Sequence, residues 1–319
     1  MKKILSLKLI LLNFAFISAS QADVVQKQAV DFSMVKTVIN EIDKPAETLL
    51  MLDFEDTLVR ASCDFEKPTQ ESCSYMGSKP WFEWQLSLLK NEPKSEYLVA
   101  KDKFELIEIY NVLLEEVALT YSEETIPGLL KEISESDVEI MLVTQFSSLH
   151  RYVESKSTEL VLNDSDKEKV LLSSILATES PKLDEPLTAL GACNSTEQAK
   201  VNYQNGVLYT AGESKSKAIR CFVEQYNAQL NELAKKDDKI LEKSKVIAVE
   251  DYYDDVSDLY DVYRNHKDRL VYSLHYINPE EMWKPLLADG KEIELQEQSH
   301  KKWLKIEEDI LKKVYFIPE

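Results

Sequence analysis

Three stretches of this chain share one pattern, a run of apolar residues without alternation that closes on a polar cluster. They are TLLMLDFEDT (48–57), VEIMLVTQFS (138–147) and KVIAVEDYYDD (245–255). Such unbroken runs suit strands covered on both faces, as in a parallel sheet. RLVYSLHYI (269–277) reads as a further strand. Elsewhere apolar residues recur every three or four positions, which predicts helices. Phe104, Ile107, Tyr110, Leu114, Val117 and Tyr121 form one such face, and Ile219, Phe222, Val223, Tyr226, Leu230 and Leu233 another. Trp303, Ile306, Ile310 and Val314 mark a last amphipathic helix that packs on the body. Strands alternating with helices predict an α/β fold with a doubly wound, mostly parallel sheet and a site at the strands' carboxyl ends. The polar clusters fall at those ends.

Residues 62–122 have another character. Pro68, Pro80 and Pro93 surround the aromatic patch Trp81, Phe82 and Trp84, and the first long helical face follows. This segment reads as an insertion after the first strand, lying over the edge where the polar clusters gather. Its aromatic patch either lines a pocket there or packs the insertion's own core, the commoner use of such side chains. Residues 150–205 read as polar and helical, with turns at Pro181, Pro186 and Gly191 and a hairpin around Gln204-Asn205-Gly206.

The first 22 residues are set apart from the fold. Lys2, Lys3 and Lys8 precede the apolar run Leu9–Ile17, and Ser20-Gln21-Ala22 places small residues before a cut, the layout of a secretory signal. The mature chain is expected to begin at Asp23. Losing those three lysines takes the net charge from −19 to −22. So acidic a body repels phosphate backbones, which disfavours nucleic acid as a partner. No later segment is long and apolar enough for a membrane span, so the mature protein is expected to be soluble. With 6 glycines there is no GxGxxG, no GxxxxGK[ST] and no GxSxG, and 4 histidines include no HExxH. Cys63, Cys73, Cys193 and Cys221 form no CxxC pair and suit an oxidising compartment. Four cysteines allow three pairings; Cys63–Cys73 with Cys193–Cys221 is the favoured one, and four reduced thiols is the alternative.

The chemistry-bearing residues stand in order behind the strands. Asp53 and Glu55 place two carboxyl groups two residues apart at the end of the first run. One can attack phosphorus while the other protonates the leaving oxygen and later activates water. Cations and hydroxyls must offset the charge that gathers there. Thr144 ends the second run, Lys215 and Lys217 follow Gly212-Glu213-Ser214, and Glu250, Asp251, Asp254 and Asp255 end the third.

At these residues the chain resembles the haloacid dehalogenase-like (HAD) phosphohydrolase superfamily, in particular its secreted bacterial members. Asp53, Glu55 and Thr57 match the D-x-D-x-T motif, Thr144 the Ser/Thr motif, Lys215 the lysine, with Lys217 as a lesser candidate, and Asp251 with Asp255 the acidic motif. IPGLLKEI (126–133) looks like the helix before the second strand. Two positions depart from the pattern: Glu55 replaces an Asp, and Glu250 stands in a glycine's place. The resemblance covers about residues 48–277 and implies a core of residues 23–61 and 123–289, a helical cap at 62–122 and a terminal helix at 290–319.

The resemblance implies a magnesium-dependent phosphatase acting on a phosphate monoester, a small phosphorylated molecule or a phosphoprotein, through an aspartyl-phosphate on Asp53. Glu55 acts as acid and then base, Thr144 and Lys215 hold the phosphoryl oxygens, and Asp53, the Glu55 carbonyl and Asp251 hold Mg2+ with Asp255 behind them. The longer Glu55 side chain sits about 1.5 Å farther out than an Asp carboxyl. That leaves two alternatives, a secreted protein without catalysis that binds a host or other partner, and a phosphotransferase with an acceptor other than water. Export to the periplasm or beyond is expected in each case.

Overall fold

In the computed structural model, which describes residues 24–61, 75–115, 119–146, 180–181, 190, 193–195, 201–237, 239–264 and 269–315, the unbroken apolar runs are inner strands of one sheet. The chain runs β1 (Val24–Ala29), α1 (Ser33–Glu41), β2 (Thr48–Asp53), β3 (Val59–Ala61), α2 (Lys79–Asn91), α3 (Lys103–Glu115), β4 (Leu119–Tyr121) and α4 (Ile126–Ser134). It continues with β5 (Glu139–Thr144), β6 (Asn202–Gln204), β7 (Val207–Tyr209), α5 (Lys215–Ala234), β8 (Lys245–Glu250), α6 (Tyr253–Tyr263), β9 (Leu270–Tyr276), α7 (Asn278–Leu287) and α8 (Lys291–Tyr315). Seven strands lie in the order β1-β9-β8-β2-β5-β7-β6. All neighbours are parallel except the β6–β7 pair. The protein is therefore an α/β fold with a mostly parallel sheet flanked by helices.

Strand periodicity explains both layers. Leu50 and Leu52 face one hydrophobic cluster with Ile140, Leu142, Ile247 and Val249. Leu49 and Met51 face the other with Met141, Val143, Val246 and Ala248. Both sides of the sheet are thus buried, which is why these strands show no alternation. Ile219, Phe222, Val223 and Tyr226 of α5 cover the second face. The first face is covered by α1, α4 and the helices of the insertion, whose Leu106, Ile107 and Tyr110 share one core with β2. Emptying a buried leucine site such as Leu50 in such a core costs about 2–5 kcal/mol.

The register aligns the polar ends. Asp53 pairs with Val143, Thr144 with Tyr209, and Glu250 with His275. β2 lies between β8 and β5, so the connections leave it in opposite directions and a crevice opens beside its carboxyl end.

Several sequence readings resolve here. The 269–277 strand is β9, and the hairpin joins β6 to β7 through Asn205 and Gly206, both at positive φ (51° and 80°) as a two-residue turn of this kind needs. The face read as one helix from Phe104 to Tyr121 is cut short: α3 ends at Glu115, and Tyr121 belongs to β4, paired antiparallel with β3 through Val59. Spacing alone cannot reveal that a distant strand claims the last residues. β1 and α1 carried no recognised signal. The terminal helix α8 buries Trp303 and Ile310 and packs against α3 of the insertion. Cys193 and Cys221 form a disulfide with a Cα–Cα distance of 5.7 Å. The signal segment, the Cys63–Cys73 pair and most of residues 150–205 lie outside the described residues. Among the described residues, no helix is long and apolar enough to cross a membrane.

A candidate active site at the strand ends

Asp53 is the last residue of β2 and is buried. One carboxylate oxygen, Oδ1, lies 2.6 Å from Lys215 Nζ, and the other accepts from Thr57 Oγ1 at 3.4 Å. The chain then turns sharply: Asp56 N–H donates to the Val59 carbonyl at 2.6 Å and Thr57 N–H to the Glu55 carbonyl at 2.7 Å. Asp56 takes φ of 57° to close this turn, a left-handed conformation that Asp tolerates better than most side chains. The turn swings Glu55 across to β5. There Thr144 Oγ1 donates to both carboxyl oxygens, at 2.9 and 3.2 Å.

Lys215 is the first residue of α5 and is buried. Besides Asp53 it meets Glu250 Oε2 at 2.8 Å and Asp255 Oδ2 at 3.7 Å. Burial on its own depresses the ammonium, but Asp53 and Glu250 hold its pKa well above the ordinary lysine value. Lys217, two residues on, is exposed, so the helix selects Lys215 as the lysine of the site.

The third run brings Asp251, and with it a residue the sequence reading missed. Lys79 Nζ lies 2.6 Å from Asp251 Oδ2 and donates to the Asp251 carbonyl at 2.9 Å. Lys79 is the first residue of α2, which Ser78 caps and Pro80 helps to start. Because helical side chains lean toward the amino end, a lysine there reaches out of the helix toward the sheet. Asp56 also belongs to the site, and the exposed Asp254 lines its outer part. No local signal marks Lys79, because its partner lies 172 residues away.

Carboxyl groups outnumber cations in this site. Asp53, Glu55, Asp56, Glu250, Asp251 and Asp255 gather around Lys79 and Lys215. Burial pushes Asp53 well above the usual carboxylate range, against the pull of Lys215. Burial likewise carries Glu55 and Asp56 up to about 7 and Glu250 up to about 8. Lys215 and the Thr144 hydroxyl pull Glu55 the other way. Burial raises Asp255 as well.

A cavity of about 700 Å3 opens over these groups. Its floor holds Asp53, Glu55, Lys215 and Asp251, and α2 and α3 of the insertion form its outer wall. Of the patch Trp81, Phe82 and Trp84, Phe82 lines it, together with Tyr110 of α3. Trp81 is buried, and Trp84 packs with Tyr75 and Tyr97 at centroid distances of 6.4 and 6.0 Å. Among the described residues, no three carboxylate, imidazole or thiol groups converge closely enough to hold a metal by themselves. Asp53 and Asp251 supply two carboxylates beside the Glu55 carbonyl, an oxygen-only set that needs water or ligand oxygens to complete it.

A family sequence model described as "Protein of unknown function (DUF2608)" matches residues 31–309. The chain belongs to that family. The match takes in every residue of the site, from Asp53 to Asp255, as well as the insertion and most of α8. Comparison with curated proteins and with solved structures finds no match.

Proposed function

We propose that this member of the family is a phosphate monoester hydrolase of the haloacid dehalogenase-like type, with the insertion as its cap. The observation that carries the reading is the meeting of Asp53 with Lys215 at 2.6 Å, beside a second carboxyl group, Glu55, held from β5 by Thr144. Asp53 Oδ attacks phosphorus, the P–O bond to the alcohol breaks, and the leaving oxygen takes a proton from Glu55. Water then attacks the aspartyl-phosphate, returns a proton to Glu55 and releases inorganic phosphate. A group with its pKa near 7 suits both halves of that cycle. Lys215 orients Asp53 and meets phosphoryl oxygens, and the buried Glu250 holds Lys215 in place.

The donor set fits magnesium, a hard cation that takes one or two carboxylates and keeps waters and substrate oxygens. Held by Asp53, the Glu55 carbonyl and Asp251, it supplies positive charge against the phosphoryl oxygens. The surplus of carboxyl groups over lysines supports that fit. The Cys193–Cys221 disulfide supports export to an oxidising compartment.

One contact favours a second reading. Thr144 Oγ1, expected to meet phosphate, is engaged by Glu55 in this structure, as the longer side chain allows. A site that has settled into that contact binds without turning over. Phosphate release with Mg2+ across a panel of monoesters separates the two readings. The enzyme reading expects turnover that Asp53→Asn abolishes and that Glu55→Gln and Glu55→Asp both slow. A rate that rises in Glu55→Asp, or that survives in Asp53→Asn, overturns it.

A further inference from the structure

The floor of the cavity is charged, and its outer wall carries an apolar stripe between the charged side chains Glu83, Lys90, Lys101, Asp102 and Lys103. Phe82, Leu86 and Leu89 occupy one stripe of α2, at i, i+4 and i+7, and all three are only half-buried. Their neighbours Trp81, Gln85 and Leu88 are buried along the adjoining face of the helix. The stripe faces the cavity, backed by Ile107 and Tyr110 of α3 and by Phe146 beyond β5. Phe82 packs on Tyr110 at 4.8 Å between ring centroids, and Tyr110 on Phe146 at 6.1 Å. Three elements thus contribute to one aromatic strip that descends to within two residues of Thr144.

Resting on the phosphatase reading, we infer that the leaving alcohol of the substrate is apolar, with at least the bulk of an aromatic ring. The cavity holds far more than a phosphoryl group, in the size range of pockets that enclose a whole small ligand. An apolar body laid on Phe82, Leu86 and Leu89 removes their remaining surface from water. A sugar or glycerol moiety in the same place loses water from its hydroxyls against side chains that offer no hydrogen-bond partner. The stripe of Phe82, Leu86 and Leu89 therefore selects against polyhydroxy esters as well as for apolar ones.

The test compares 2-phenylethyl phosphate with glucose 6-phosphate and glycerol 3-phosphate, with Mg2+ and the disulfide-bonded mature chain. All three leave as primary alcohols, so intrinsic reactivity does not decide the outcome. The expected result is a kcat/KM at least about tenfold higher for 2-phenylethyl phosphate, a ratio that Phe82→Ala narrows and Phe82→Leu largely keeps. A polyhydroxy ester turned over as well or better overturns the inference and leaves the phosphatase reading standing, and so does a ratio indifferent to Phe82→Ala. If no ester is hydrolysed the phosphatase reading fails, and calorimetry decides the wall's preference. Tighter binding of 3-phenylpropylphosphonate than of 3,4-dihydroxybutylphosphonate then supports the apolar subsite, and equal binding or none overturns it.

Discussion

Two of the lysines that begin helices in this molecule, Lys79 and Lys215, point into the same cavity and meet its carboxylates. Lys215 opens α5 and Lys79 opens α2, each at the helix end where the backbone dipole disfavours a cation. Each is held there by carboxylates, Lys215 by Asp53 and Glu250, Lys79 by Asp251. The difference is in their origin. Lys215 stands on the sheet's own sequence of strands and helices, whereas Lys79 enters from the insertion. The floor of the site is therefore a product of the sheet, and its second cation depends on how the insertion docks.

The largest effect expected from breaking this arrangement is at Lys215. Its removal in Lys215→Met leaves Asp53 and Glu250 buried without their partner, which costs about 3–5 kcal/mol of stability. Urea unfolding measures it, and a loss under about 1 kcal/mol contradicts the assignment of Lys215 as the keystone of the floor. Next comes the disulfide, which ties α5, the carrier of Lys215, to Cys193 across 28 residues of chain. Its reduction is expected to remove about 3–4 kcal/mol from the same unfolding midpoint analysis. An unchanged midpoint after full reduction goes against it.

Lys79 provides the sharper contrast. Because it already neutralises Asp251, Lys79→Met is expected to tighten Mg2+ binding by about tenfold, or 1.4 kcal/mol, in calorimetry. Weaker binding than wild type shows that Lys79 assists the cation instead of competing with it.

The last effect is a slope against pH, read per pH unit instead of as a single loss. Glu55 and Glu250 move from an ordinary 4.5 when unfolded to about 7 and about 8 in the fold. The folded protein therefore binds more protons across that interval. The stability these groups contribute is complete below about pH 4.5 and is lost as pH rises through 7 and 8. Lys215 does not oppose this trend, since its raised pKa changes protonation only above the ordinary lysine value of 10.5. Without added Mg2+, unfolding free energy is expected to fall between pH 5 and 8, by about 1.4 kcal/mol per pH unit for each of the two groups at the steepest. Glu55→Gln should flatten the lower part of that slope. Stability that rises over the same range refutes the raised values.

The sequence by itself determined the middle of the sheet. β2, β5 and β8 were legible because burial on both faces leaves unbroken apolar runs, β9 was legible as a further mostly apolar stretch, and Asp53, Thr144, Lys215 and Asp251 were legible as polar residues that follow the strands. Elements with short or mixed patterns were not. β3 and β4 have three residues each and exist only because they pair with one another, and β1 is defined by its neighbour β9. The tertiary structure alone decided that Glu55 reaches Thr144, that Glu250 shares Lys215 with Asp53, and that Lys79 answers Asp251. The physical reason is common to all three contacts. A charge's partner is set by what the fold brings within a few ångströms, and local spacing carries no record of a contact made 89 or 172 residues away.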